Sequence, residues 1–138
     1  MKWIFTWSAI ALITASCRPS RETMNTATPL FETKWTLKKI YDDNTEQAVN
    51  TKAFIRFDKE KGTAGGNGSC NSFGSNATVV GSQVSFKNIF STKMYCDQVQ
   101  QVENKYFKQL QTADRFEIKR QSLFLYHDKQ LLLEFLAE

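Results

Sequence analysis

From residue 34 onward the chain alternates apolar and polar positions in short runs, and one stretch breaks into a helical period. Trp35, Leu37 and Ile40 predict a first strand over 34–41, with an irregularity where the spacing changes from two to three. Asp42 to Asn50 reads as a polar turn. Ala53, Ile55 and Phe57 share one face of a second strand, while Phe54 and Arg56 share the other. Gly62 to Gly65 predicts a short strand. Thr78-Val79-Val80 and Gln83 to Phe86 flank Gly81-Ser82, a pairing that suits a tight hairpin. Val99, Val102, Tyr106 and Leu110 then recur at steps of three and four, with Phe107 beside them. They predict a helix over about 98–112, capped by Asp97. Three alternating runs over 115–119, 123–126 and 130–136 predict a closing antiparallel meander, with Leu131, Leu133 and Phe135 facing inward. The fold class is mainly β (α+β). We expect a small antiparallel barrel-like or strongly bent sheet of six to eight strands, with one helix before the C-terminal strands.

Two corners interrupt this pattern. Residues 65–75 crowd glycine and asparagine around Cys70, and Ser91 to Asp97 places Cys96 just before the helix. Glycine and asparagine tolerate positive φ and close backbone approach, so the first corner reads as a structural turn.

The N-terminus adds an address. One lysine, an apolar run from Trp3 to Ile13 too short to span a bilayer, and Thr14-Ala15-Ser16-Cys17 describe a secretory leader ending at an acylated cysteine. Thr14 departs from the aliphatic residue usual in such a signal. The expected organisation is a signal peptide (1–16), a lipidated flexible tether (17–30) and one domain (31–138). Arg18 after the acylated cysteine gives no inner-membrane retention signal, which favours the outer membrane. Acylation of Cys17 also resolves the odd cysteine count. Cys70 and Cys96 remain as an even pair in an oxidising compartment, and closing that loop would stabilise the fold by about 3.5 kcal/mol. A redox pair remains the alternative for these two cysteines.

The composition suits a globular domain: 41% of residues are hydrophobic and eleven are phenylalanine. Formal charge is +4, and loss of Lys2 with the leader leaves 17 basic against 14 acidic residues. The basic residues are scattered in pairs at most, which argues against a nucleic-acid surface. No His, Cys, Asp or Glu spacing suits a metal. The single histidine, His127, falls in a predicted turn, a poor position for a catalytic base. Gly65-Gly66-Asn67-Gly68 lacks the lysine and the following helix of a phosphate loop. No cofactor is expected.

Trp35 and Leu37, Cys70-Asn71 with Phe73-Gly74, Ser91-Thr92-Lys93-Met94 leading to Cys96, Glu103, Phe107 and Leu110 in the helix, and the final Leu-x-Leu hairpin together resemble the META domain family, of the HslJ-like type, over about 31–136. Gly68, Cys70, Asn71, Phe73, Gly74, Ser91, Thr92, Met94 and Glu103 carry the motif, whereas Ser75 and Asn76 depart from it. The resemblance implies a barrel-like β fold in bacterial envelope proteins, often lipoproteins, loosely linked to stress and antibiotic tolerance. It implies no reaction. The expected function is therefore a non-catalytic envelope lipoprotein, held to the membrane by its lipid and binding an envelope protein partner. A barrel carrying a small apolar ligand and a thiol-disulfide redox protein are the alternatives.

Overall fold

The computed structural model describes residues 26–43 and 45–138; the leader, Cys17 and the start of the tether lie outside them. Nine strands and one helix follow in order. They are β1 (Trp35–Asp42), β2 (Thr45–Ala48), β3 (Phe54–Asp58), β4 (Thr63–Asn67), β5 (Ser72–Val80), β6 (Gln83–Ser91), α1 (Gln100–Thr112), β7 (Arg115–Lys119), β8 (Ser122–His127) and β9 (Gln130–Ala137). Successive strands from β3 to β9 pair as antiparallel neighbours. β1 pairs with both β3 and β9, so the sheet closes into a ring, and β2 extends the outer half of β1. Closure removes the exposed edges that a flat sheet would carry.

The inward face of each strand supplies the core. Trp35, Ile40, Ile55, Leu123, Leu125, Leu133 and Phe135 are all fully buried. The wall is weakest between β6 and β7, which share the single register pair Gln83↔Arg115. The helix that connects these two strands packs against β6 and β9 there. It sends Tyr106 and Leu110 into the core, where the Tyr106 ring meets Phe73 edge-on at 5.7 Å and Phe135 at 5.9 Å. Side chains from the strands and from α1 thus meet in the interior.

Several expectations need correction. The supposed polar turn over 42–50 contains β2, a mostly exposed strand held by pairing with β1 and by the Lys105–Gln47 hydrogen bond rather than by burial. It brings the count to nine, and β4 and β5 are longer than the pattern predicted. The glycine-rich segment is largely strand, and the true corner is confined to residues 68–71. The helix begins at Gln100 with Val99 at its cap position, and no side chain caps it. Asp97 instead accepts a hydrogen bond from the Tyr95 hydroxyl at 3.0 Å. In β9, Leu132 as well as Leu133 is buried, while Leu131 is only half-buried. A register shift between Leu125 and Tyr126 skips Leu132 and re-aims it inward. Other features match the pattern. β1 carries its irregularity between Leu37 and Lys39, and Gly81 turns the β5–β6 hairpin at φ 60°. Packing includes residues just before Phe31: Leu30 is buried, its carbonyl accepts the Trp35 indole N–H at 2.9 Å, and Thr28 N–H donates to the Arg120 carbonyl.

Candidate functional site

The corner after β4 and the segment after β6 meet at the start of α1, and the contact is polar. Glu103 in the first turn of α1 is only 2% exposed. Its Oε2 accepts the backbone N–H of Cys70 at 3.0 Å and of Asn71 at 2.6 Å, and its Oε1 accepts Asn71 Nδ2 at 2.6 Å. No cation pairs with it among the described residues. Three donors and the positive end of the helix dipole replace the water that the carboxylate has lost.

Asn71 is the hub. Besides Glu103, its Nδ2 donates to the Met94 carbonyl at 3.0 Å. Its Oδ1 accepts Thr92 Oγ1 and Met94 N–H, both at 2.8 Å. Every donor and acceptor of its amide is used, and its own carbonyl accepts Gly68 N–H. Gly68 has no room for a side chain: a Cβ there would stand 2.5 Å from the Phe107 ring and 2.7 Å from Glu103 Oε2. A disulfide between Cys70 and Cys96 ties the same two segments, with Cα atoms 5.8 Å apart. Thr51 joins the periphery through a 2.7 Å hydroxyl contact with Ser69.

Of the motif residues, Gly68, Cys70, Asn71, Thr92, Met94 and Glu103 converge on this junction. Phe73 lies inside the barrel beneath it, paired in register with Ser91, and Gly74 lies under the Phe90 ring. The composition of these segments announced a corner; it did not announce that Glu103 and Asn71 would be its buried centre. Glu103 stands on the apolar stripe of α1, one step from Val102 and three from Tyr106, and a carboxylate in that place was the available signal. Gln109, also on the buried face, was missed; its amide donates to the Tyr41 carbonyl. Ser75, where the motif departs, is buried and donates to the Ala64 carbonyl.

The junction's visible product is the segment it holds. Phe90, Met94 and Tyr95 are 70%, 61% and 75% exposed on backbone fixed from beneath. Elsewhere, His127 is exposed and meets Asp114 at 2.8 Å, and among the described residues no serine, threonine or cysteine side chain bonds to either. Among the described residues no group of three His, Cys, Asp or Glu side chains could hold a metal ion.

A closed antiparallel barrel plugged by one helix and pinned at its mouth by a disulfide is the class of protein this geometry defines. The META domain profile matches residues 28–138, and the chain belongs to that family. The fold is similar to a protein from Burkholderia xenovorans solved by NMR (TM-score 0.67, 20% identity, covering 88% of this chain and 99% of that one). A second NMR structure is similar with TM-score 0.57 and 20% identity, covering 78% of this chain and 91% of the other. At that identity both speak for the fold alone. No curated protein matches the chain.

Proposed function

We propose that the protein is a lipid-anchored component of a bacterial envelope, attached through Cys17, whose META domain works by binding another envelope component through residues 87–96. One observation carries this reading: three large apolar side chains stand exposed on a segment that a buried carboxylate, a fully used asparagine amide and a disulfide immobilise. Exposed apolar residues are costly in water, and pre-ordering their backbone lowers the entropy lost on association. The leader pattern, the acylatable Cys17 and the polar tether support the envelope address. The link of this family to stress or antibiotic tolerance would then operate through the bound component. The Cys70–Cys96 disulfide is structural in this reading, because its partners serve to hold the segment.

The test is site-specific photo-crosslinking of the full chain in its native cells. A photoreactive residue at Tyr95 is expected to trap a defined adduct, and the same group at Gln121, on the β7–β8 turn, is expected to trap none. Equal, diffuse labelling at both positions would remove the reading.

A further inference from the structure

The chemistry around the exposed segment selects a partner class, on the premise that the domain binds through residues 87–96. From Lys61 to Cys96 the chain contains three lysines and not one aspartate or glutamate, although fourteen acids are present in the whole sequence. This acid-free stretch comprises β4, β5, β6 and the segment beyond. Lys87 and Lys93 are exposed and make no ion pair among the described residues, whereas Lys34, Lys39, Lys61 and Lys119 each have a carboxylate partner. The nearest acid along the chain, Asp97, is occupied by the Tyr95 hydroxyl. Within residues 87–96, Phe90, Met94 and Tyr95 share the stretch with two lysines and no acid, and the Asp97 carboxylate stands at its edge.

Large apolar side chains, a tyrosine and unpaired lysines within nine residues are what a lipid–water interface rewards. The rings and thioether enter the acyl boundary, the phenol stays at headgroup depth, and the ammonium groups meet anionic phosphates. An acidic protein groove would meet the same charges, and a protein adduct at Tyr95 distinguishes it from a lipid surface. We infer that residues 87–96 dock on the anionic headgroup surface of a bilayer, as a second, reversible contact beside the lipid anchor.

The experiment uses the mature chain, residues 17–138, carrying Cys17→Ser so that neither leader nor acyl group contributes, and sucrose-loaded vesicles of phosphatidylcholine with or without phosphatidylglycerol. Sedimentation with the phosphatidylglycerol vesicles is expected to exceed that with phosphatidylcholine. K87E/K93E should cut the anionic component by more than about thirtyfold, the effect that loss of two positive charges near the surface alone implies. F90S/Y95S should weaken binding to both vesicles, while V80S, which removes an apolar side chain exposed elsewhere, should change neither. Binding of F90S/Y95S equal to that of the parent on phosphatidylglycerol vesicles would overturn the inference, as would indifference to K87E/K93E. A protein adduct at Tyr95 combined with no vesicle preference would overturn the lipid surface while leaving the binding function standing. Absence of both would end the binding function as well.

Discussion

The β7–β8–β9 meander and the Cys70–Asn71–Glu103 junction hold their parts together by opposite means. In the meander, Leu123, Leu125, Leu133 and Phe135 are fully buried, and ladder hydrogen bonds satisfy the backbone. Its stability is spread over many small apolar contacts, so each residue is replaceable at a graded cost. In the junction the buried centre is a carboxylate and an amide with specific partners, and removing one strands several others. The apolar wall builds the barrel, while the polar junction sets where one exposed segment sits. Diffuse packing suffices for the first task. The second requires directional bonds.

Removal of Glu103 should therefore show the largest effect. Glu103→Ala leaves two backbone N–H groups and an amide N–H buried without an acceptor, and is expected to cost about 4 kcal/mol in urea unfolding. Glu103→Gln sharpens the contrast because it preserves shape. Its amide can accept from the two N–H groups only by turning its own NH2 toward Asn71 Nδ2, donor against donor. Rotating the Asn71 amide to relieve that clash would forfeit the bonds to Thr92 and Met94. A loss of about 2 kcal/mol is expected. Leu125→Ala in the meander should cost about 3 kcal/mol, but Leu125→Met, equally conservative in shape, should cost less than Glu103→Gln. If Glu103→Gln proves neutral, the two regions do not differ in kind.

Opening the disulfide comes next. Cys70→Ala/Cys96→Ala frees a loop of separation 26, which the chain-entropy estimate sets at about 3.5 kcal/mol, less whatever order the unfolded chain retains. Hydrogen exchange in the variant separates stability from placement. Because Asn71 binds both the N–H and the carbonyl of Met94, residue 94 should keep measurable protection, and the meander should lose only the global increment. Complete loss of protection at Met94, with the meander unchanged, would make the disulfide rather than the amide the anchor.

The same division decides what could be read in advance. Strand alternation and the helical stripe follow from burial on one side, so the meander, the β5–β6 hairpin and α1 were all visible in the spacing of Leu, Val and Phe. β2 was hidden because Thr45 to Ala48 bury almost nothing, and backbone pairing leaves no mark on side-chain pattern. Leu132 was misplaced because a bulge changes the face without changing residue types. The junction was half legible: glycine, asparagine and cysteine announced a corner, and the even cysteine pair announced the link. The role of Asn71 rests on partners more than twenty residues away, beyond any local periodicity.

Tyr106 tests the comparison from the other side, because it is a polar group that the apolar interior has left alone. Its ring packs among Phe73, Phe107 and Phe135, yet its fully buried hydroxyl has no hydrogen-bond partner among the described residues. Losing its hydration without a replacement bond costs stability, so Tyr106→Phe should raise unfolding free energy by about 1 kcal/mol at neutral pH while keeping the ring contacts. Burial pushes this phenol well above its ordinary value of 10.0. The unfolded chain therefore releases the proton first as pH rises past 10, whereas the folded chain still holds it. Stability is fully present below pH 10 and falls above it, by up to about 1.4 kcal/mol per pH unit from this one group. Tyr106→Phe removes that slope, so its advantage should widen in alkaline urea titrations. A variant less stable than the parent at pH 7 would mean that the hydroxyl has a partner, such as an internal water, and that the core too contains a directional bond.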